Sequence, residues 1–440
     1  MFNISFLRKL FIALIVVALA GWPTAQAAAQ TEPFEITVNS TDDLDDIQRG
    51  DGICTASIMF TKCTLRAAVS EAVAYNGESD LVYIHLPAGV YKLLIPGEDE
   101  NFNATGDLDI SNPHKDILLE GTDPLLPPVI DGNHLDRIFG IGGNQHVELR
   151  DLVIRNGQIN NLNDYNRMGG GILNSANLDL NTVLIENNTV TCSPQSGSCA
   201  GAVGGGINNL GALRIFNSTI RGNYAYRGGG IFIGGSSTGT ELINSTIFDN
   251  GAFSVGAINS FAPLTMLNST ISGNTDTSST GGVFMDGALL MMANVTLAKN
   301  TTSSGVASNL VVNVPPIIRN SIIAYPAAGK PNCSLLSGTV TPQGVNLSSD
   351  ASCGLNSGVD KINQDPKLTS LMDWGGPTWT HGLLNGSPAI NGGDPLGCKD
   401  FNNYLLTNDQ RGVFRTLAGC DIGAFEGVIY ATFQPLIMRQ

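Results

Sequence analysis

Basic residues are scarce in this chain of 440 residues: 23 Lys and Arg stand against 38 Asp and Glu, a formal charge of −15. With so little positive charge to neutralise phosphates, nucleic acid is excluded as a partner, and so is an anionic membrane surface. Charge of either sign is sparse, at 14% of residues, which argues against a set of surface helices. Beyond residue 27 no run reaches eighteen apolar residues, so no transmembrane segment is expected there. No Cys-x-x-Cys occurs, and the histidines (His85, His114, His134, His146, His381) lie away from the cysteines, which removes a zinc site. Nothing resembles a Ser-His-Asp arrangement, a P-loop or a dinucleotide fingerprint. What is abundant is Gly, 52 residues of it, with Asn, Ser and Thr. These are residues of turns and strand edges.

The first residues read as a signal peptide. Arg8 and Lys9 precede the apolar run Leu10 to Ala20, Gly21 to Pro23 breaks it, and Ala25-Gln26-Ala27 offers a small-x-small cleavage site. The reading is therefore a signal peptide over 1–27 and a secreted or cell-surface protein, expected as a monomer. The eight cysteines agree, falling into the local pairs Cys54/Cys63, Cys192/Cys199, Cys333/Cys353 and Cys398/Cys420. In an oxidising compartment, neighbours are the natural partners.

An internal repeat organises the middle of the chain. Asn217-Ser218-Thr219-Ile220 recurs at Asn244 and Asn268, and in looser form at Asn294 and Asn320. A second Asn follows the first four terminal aliphatics at three residues: Asn223, Asn250, Asn274 and Asn300. Glycine clusters such as Gly204-Gly205-Gly206 and Gly228-Gly229-Gly230 keep phase with both markers. A period near 25 residues is too short for a propeller blade, and no leucine ladder appears. The fold class expected is all-β: a right-handed parallel β-helix over 105–330. Leu213 and Ile215 point inward, Arg214 outward, and a corner falls at Asn217. Asn suits a left-handed corner, and stacked Asn amides are expected to bond one another up that column.

The ends are not repeats. Residues 34–104 are expected to form an N-terminal cap in which Thr64 starts a short helix, Leu65 to Tyr75, that covers the open end of the solenoid. Residues 331–427 are expected to close the other end, and 428–440 form a tail.

Cys63-Thr64-Leu65-Arg66-Ala67-Ala68, with Asp51-Gly52-Ile53-Cys54, Leu86-Pro87-Ala88-Gly89 and Gly106-Asp107-Leu108-Asp109-Ile110, resembles the CSLREA-type N-terminal domain of exported bacterial proteins. Ala67 stands where that family carries Glu. Gly375-Gly376-Pro377-Thr378-Trp379-Thr380-His381, Asn385 to Asp394, Asp409-Gln410-Arg411-Gly412 and Cys420 to Glu426 resemble the "choice-of-anchor Q" closing region. The repeats are similar to those of polymorphic outer-membrane proteins. The resemblance implies a secreted or surface β-helix, a pectate-lyase-like solenoid, with no established chemistry.

Candidates for chemistry are carboxylates. Asp249, Asp276 and Asp286 are the catalytic candidates on the repeat face, where a lyase or glycosidase would need converging acids. Asp42, Asp43, Asp45, Asp46 and Asp51 form an acidic loop that could take calcium, although no cofactor is required and the spacing is not that of an EF-hand. Trp374, Trp379 and His381 could line a sugar platform. Arg66 is read as an ion-pair residue within the cap. The function expected is adhesin-like presentation of a repetitive face to polysaccharide or cell-surface glycans. The alternative is a carbohydrate-active enzyme, a polysaccharide lyase or glycoside hydrolase.

Overall fold

The computed structural model describes residues 32–430 apart from 58, 60, 98–99, 113, 144, 161–167, 193–198, 357 and 417–418. The expected signal peptide and the tail beyond residue 430 lie outside the described residues. From Pro33 on the chain is one unit, and it is a right-handed parallel β-helix.

One coil illustrates the rest. Ala212–Phe216 belongs to an eleven-stranded sheet, Thr219–Arg221 to a second eleven-stranded sheet, Tyr224–Arg227 to a six-stranded sheet and Ile231–Ile233 to a nine-stranded sheet. Every pairing in these four sheets is parallel and in register, as in Leu213↔Thr240 and Ile215↔Leu242. Alternation does what period-two patterning requires. Leu213, Ile215, Ile220 and Ile231 are at most 1% exposed and join one continuous core, while Arg214 faces solvent. The sheets outrun the expected bounds of 105–330. They begin at Phe34–Thr37 and Leu81–Leu86 and end at Thr341–Gln343 and Lys361–Ile362.

Two corners of the coil are left-handed. Asp151, Thr182, Asn217, Asn244, Asn268, Asn294 and Asn320 form one column with φ between 44° and 57°. Asn156, Asn187, Gly222, Asp249, Gly273, Lys299 and Tyr325 form the other, with φ between 53° and 68°. Gly, Asn and Asp tolerate this geometry better than most residues, which explains the composition. The glycine clusters have a different reason in part. Gly204 and Gly228 have φ of 68° and 65°, but a Cβ on Gly205 would sit 2.5 Å from the Gly229 carbonyl. Successive coils approach too closely there for any side chain.

The amide ladder runs one column away from where it was expected. Asn188 Nδ2 donates to Asn223 Oδ1, and the chain continues through Asn250, Asn274, Asn300 and Asn309 to Asn332 at 2.8–3.0 Å. The amides from Asn188 to Asn300 sit just inside the second corner, and Asn309 and Asn332 carry the ladder on from the residues that precede strands of the nine-stranded sheet. The Asn217 column instead projects outward. Inward from it Ser218, Ser245 and Ser269 link coils through backbone N–H to Oγ bonds of 3.1 Å.

Thr64 caps the helix Leu65–Ala74 by accepting from Ala67 N at 3.1 Å. Leu65, Ala68, Val69 and Ala72 pack into the main core. The C-terminal residues do more than end the solenoid. An antiparallel pair, Leu368–Met372 with Thr380–Leu383, and the irregular chain after it run back along the second sheet. Thr378 Oγ1 donates to Asn244 O at 2.9 Å, Asn268 Oδ1 accepts from Arg415 at 2.9 Å, and Gly423 N donates to Asn320 O at 2.8 Å. The outward corner asparagines are thus anchor points for this strap. Disulfides join Cys54–Cys63, Cys192–Cys199, Cys333–Cys353 and Cys398–Cys420.

Candidate active site

The structure does not bring the catalytic candidates together. Asp249 is an exposed left-handed corner residue, and burial of its neighbourhood raises its pKa only partly against Arg221. Asp276 ends a strand of the six-stranded sheet, where its carboxylate accepts from Ser278 N at 2.9 Å and from Ser279 N, a turn role. Asp286 follows the nine-stranded sheet strand Val283–Met285 and accepts from Asn313 Nδ2. These lie on three different sides of the coil.

The acidic loop is bonded within the protein. Asp42 pairs with Lys62 and Asp45 with Arg49, Asp46 accepts from Gln48 N and Thr55 N, and Asp51 accepts from Ile53 N. Asp43 holds Arg66 at 2.6 Å and also accepts from Leu94 N and Ile95 N. Among the described residues no group of three or more His, Cys, Asp or Glu is placed to hold a metal ion. Trp379 stacks on Phe248 with ring centres 5.4 Å apart. His381 is buried, bonded to Ser272 Oγ at 2.8 Å and to Thr369 O at 2.9 Å. The carbonyl requires Nδ1–H to donate, so Nε2 accepts from the hydroxyl. His381 belongs to the packing of the strap, whereas Trp379 is 39% exposed and lines a cleft with Thr219, Arg221 and Phe248.

Carboxylates do converge elsewhere, at the start of the nine-stranded sheet. The strand Leu108–Ile110 sends Leu108 and Ile110 into the core and Asp109 outward. Asn103 clamps that strand: its Oδ1 accepts from Asp109 N at 2.6 Å and its Nδ2 donates to Asp109 O at 2.9 Å. On the next coil Gly140 stands in register with Asp109. A Cβ there would lie 2.5 Å from Asp109 Oδ1 and 3.2 Å from Asp107 Oδ2. Both carboxylates therefore occupy space that only glycine leaves free.

Asp107 Oδ2 accepts from Arg137 Nε at 2.9 Å, and Arg137 Nη1 donates to Met168 O at 2.9 Å. Asp109 Oδ2 is buried and has no hydrogen-bond partner. Together with Glu100, Ser111 and Ser175 these residues line a cleft of about 430 Å³, within the size range of ligand sites. Burial pushes Asp107 up to about 8, with Arg137 opposing and Asp109 and Asp136 adding. Burial, with Glu100, pushes Asp109 up to about 6. Burial thus favours the protonated form of both carboxyls, while Arg137 favours the ionised form. One protonated and one ionised carboxyl over a common floor can supply a proton donor and a nucleophile together.

In the sequence, Asp107 and Asp109 stand out only as part of the string Gly106 to Ile110. The available signal was two acids at i and i+2 beside a strand, with a glycine in the facing coil. Finding it requires the register Asp109↔Gly140, which spans 31 residues outside the regular repeat.

No protein-family model matches the chain, and no curated protein is similar to it. Among solved structures, a crystal structure of pectate lyase Pel9A aligns over 91% of this chain and 97% of its own, with a TM-score of 0.46 and 13% identity. That likeness is too slight to carry chemistry from one protein to the other.

Proposed function

We propose that this chain is an exported, carbohydrate-active β-helix protein whose reaction is hydrolysis of a glycosidic bond in the Asp107–Asp109 cleft. The observation that carries the proposal is the pair of buried carboxyls set side by side over Gly140 in the cleft, where burial raises the pKa of both. The protonated carboxyl donates to the glycosidic oxygen as the C–O bond breaks. The ionised carboxylate beside it attacks the sugar carbon to form a glycosyl ester, and water then hydrolyses that ester while the first carboxylate takes the water's proton. Arg137 holds Asp107 in place and, as a cation, opposes the rise that burial gives its pKa. The signal-like N-terminus and the CSLREA and choice-of-anchor Q resemblance support a secreted or cell-surface setting, and no cofactor is required on this reading.

The test is the release of new reducing ends from neutral, amino-sugar and uronic polysaccharides by the purified protein. Activity abolished in both D107N and D109N is the expected result. Absence of product from every substrate, with D109N leaving glycan binding unchanged, sinks it.

A second reading has an observation of its own. Asp107 is already paired with Arg137, and its carbonyl accepts from Arg66 at 3.1 Å, as a structural corner would be. On that reading the protein is an adhesin-like scaffold. It then binds glycans weakly through its repeated faces, with affinity that grows with ligand length and without product.

A further inference from the structure

The charges around the cleft say which glycan it can take. Asp109 is 8% exposed, and its Oδ2 is a buried acceptor with no donor from the protein. Its neighbour Asp107 has a cation, Arg137, but that guanidinium is spent on Asp107 and the Met168 carbonyl. Glu100 stands at the rim with its carboxylate bonded to the N–H groups of Phe102, Ala104 and Thr105. Arg66, behind the strand, is 1% exposed and committed to Asp43 and to backbone carbonyls. Among the described residues that line the cleft, Arg137 is the one cation, and it is bonded to Asp107 and to the Met168 carbonyl. At long range the chain's charge of −15 repels a polyanion as well.

We infer that the glycan bound in this cleft carries cationic amino-sugar units, not uronates. An ammonium group brings a donor and a positive charge to a carboxyl whose Oδ2 has no donor from the protein, whereas a uronate adds an anion to an acidic site. A neutral hydroxyl supplies the donor alone and ranks between them. The inference rests on the glycan-active reading of the same cleft and adds the substrate class to it.

The test is calorimetric titration of the full chain with tetramers of glucosamine, N-acetylglucosamine and galacturonate, at low and high salt. The glucosamine tetramer should bind about tenfold tighter than the galacturonate tetramer, or more. Its affinity should fall with salt while that of the N-acetylated tetramer holds. D109N should remove the preference. Because D109N is close in shape, unchanged circular dichroism and melting will show that it folds. The salt series on the unaltered protein gives an independent readout if it does not.

Galacturonate binding as tightly as glucosamine, and lost in D109N, overturns the substrate class while leaving the glycan reading intact. Glucosamine binding that D109N leaves unchanged overturns the assignment to this cleft. No binding of any tetramer overturns both.

Discussion

Arg66 Nη1 donates to the carbonyl of Asp107 at 3.1 Å, tying the N-terminal helix to the acidic cleft across 41 residues. The same guanidinium donates to Gly106 O at 2.8 Å and to Asn103 O at 3.3 Å, and pairs with Asp43. One side chain therefore fixes the loop that delivers Asp107, and the helix positions the cleft as well as covering the core.

Replacing Arg66 with Met should leave Asp43 buried without its cation and free the carbonyls of the 103–107 loop. Breaking a buried pair in this way costs about 3–5 kcal/mol. Equilibrium denaturation should show that loss, and a variant of wild-type stability would remove Arg66 from this role.

The two asparagine columns should respond differently. Asn250→Ala interrupts the ladder between Asn223 and Asn274, at about 1–3 kcal/mol for each buried group left unpaired. Asn217→Gly keeps the left-handed corner without steric cost and should stay within about 0.5 kcal/mol of the parent. Equal losses by thermal melting would mean that the columns are misassigned.

Stability should fall as pH rises through the cleft's titration. The folded Asp107 keeps its proton up to about 8, whereas the unfolded carboxyl has lost it above about 4. The folded state then binds more protons over that window, so stability declines with rising pH. D107N should flatten the decline between pH 5 and 8 in urea denaturation. A parallel decline in parent and variant would contradict the assignment.

His381 should act in the opposite sense. Burial lowers its pKa to about 4, so as pH falls below the ordinary value of about 6.5 the unfolded chain gains the proton first. Stability from burying the neutral ring is present above about 6.5 and is lost on acidification toward 4. Limited proteolysis of the 374–383 segment should therefore quicken between pH 6.5 and 4 in the parent. His381→Gln, which retains polar groups without titrating, should show no such pH step.

The solenoid was legible because its constraints repeat. Every coil must turn at the same places, so Asn217 and Asn244, or Gly204 and Gly228, recur at fixed spacing. The ladder was harder to place, because Asn217 and Asn223 repeat equally well and only the backbone says which amide points inward. The cleft repeats nowhere. Asp107, Asp109, Gly140 and Arg137 meet through coils of unequal length, and no period reveals their register. The strap was hidden for a related reason. Its partners Thr246, Thr270 and Thr296 look like ordinary outward strand residues until Gln410, Thr380 and Ala424 are seen bonded to them.

That strap also sets how the molecule yields to force. A coil ahead of the strap is held only by its neighbours, so tension peels it like a turn of rope. Each coil so freed pays out on the order of 90 Å of chain at full extension. From Asn244 to Asn320 the strap stitches successive turns together at Thr378, Arg415 and Gly423. Those turns cannot leave singly. Under load the N-terminal coils lengthen step by step, while the stitched block holds until its seam tears as a whole.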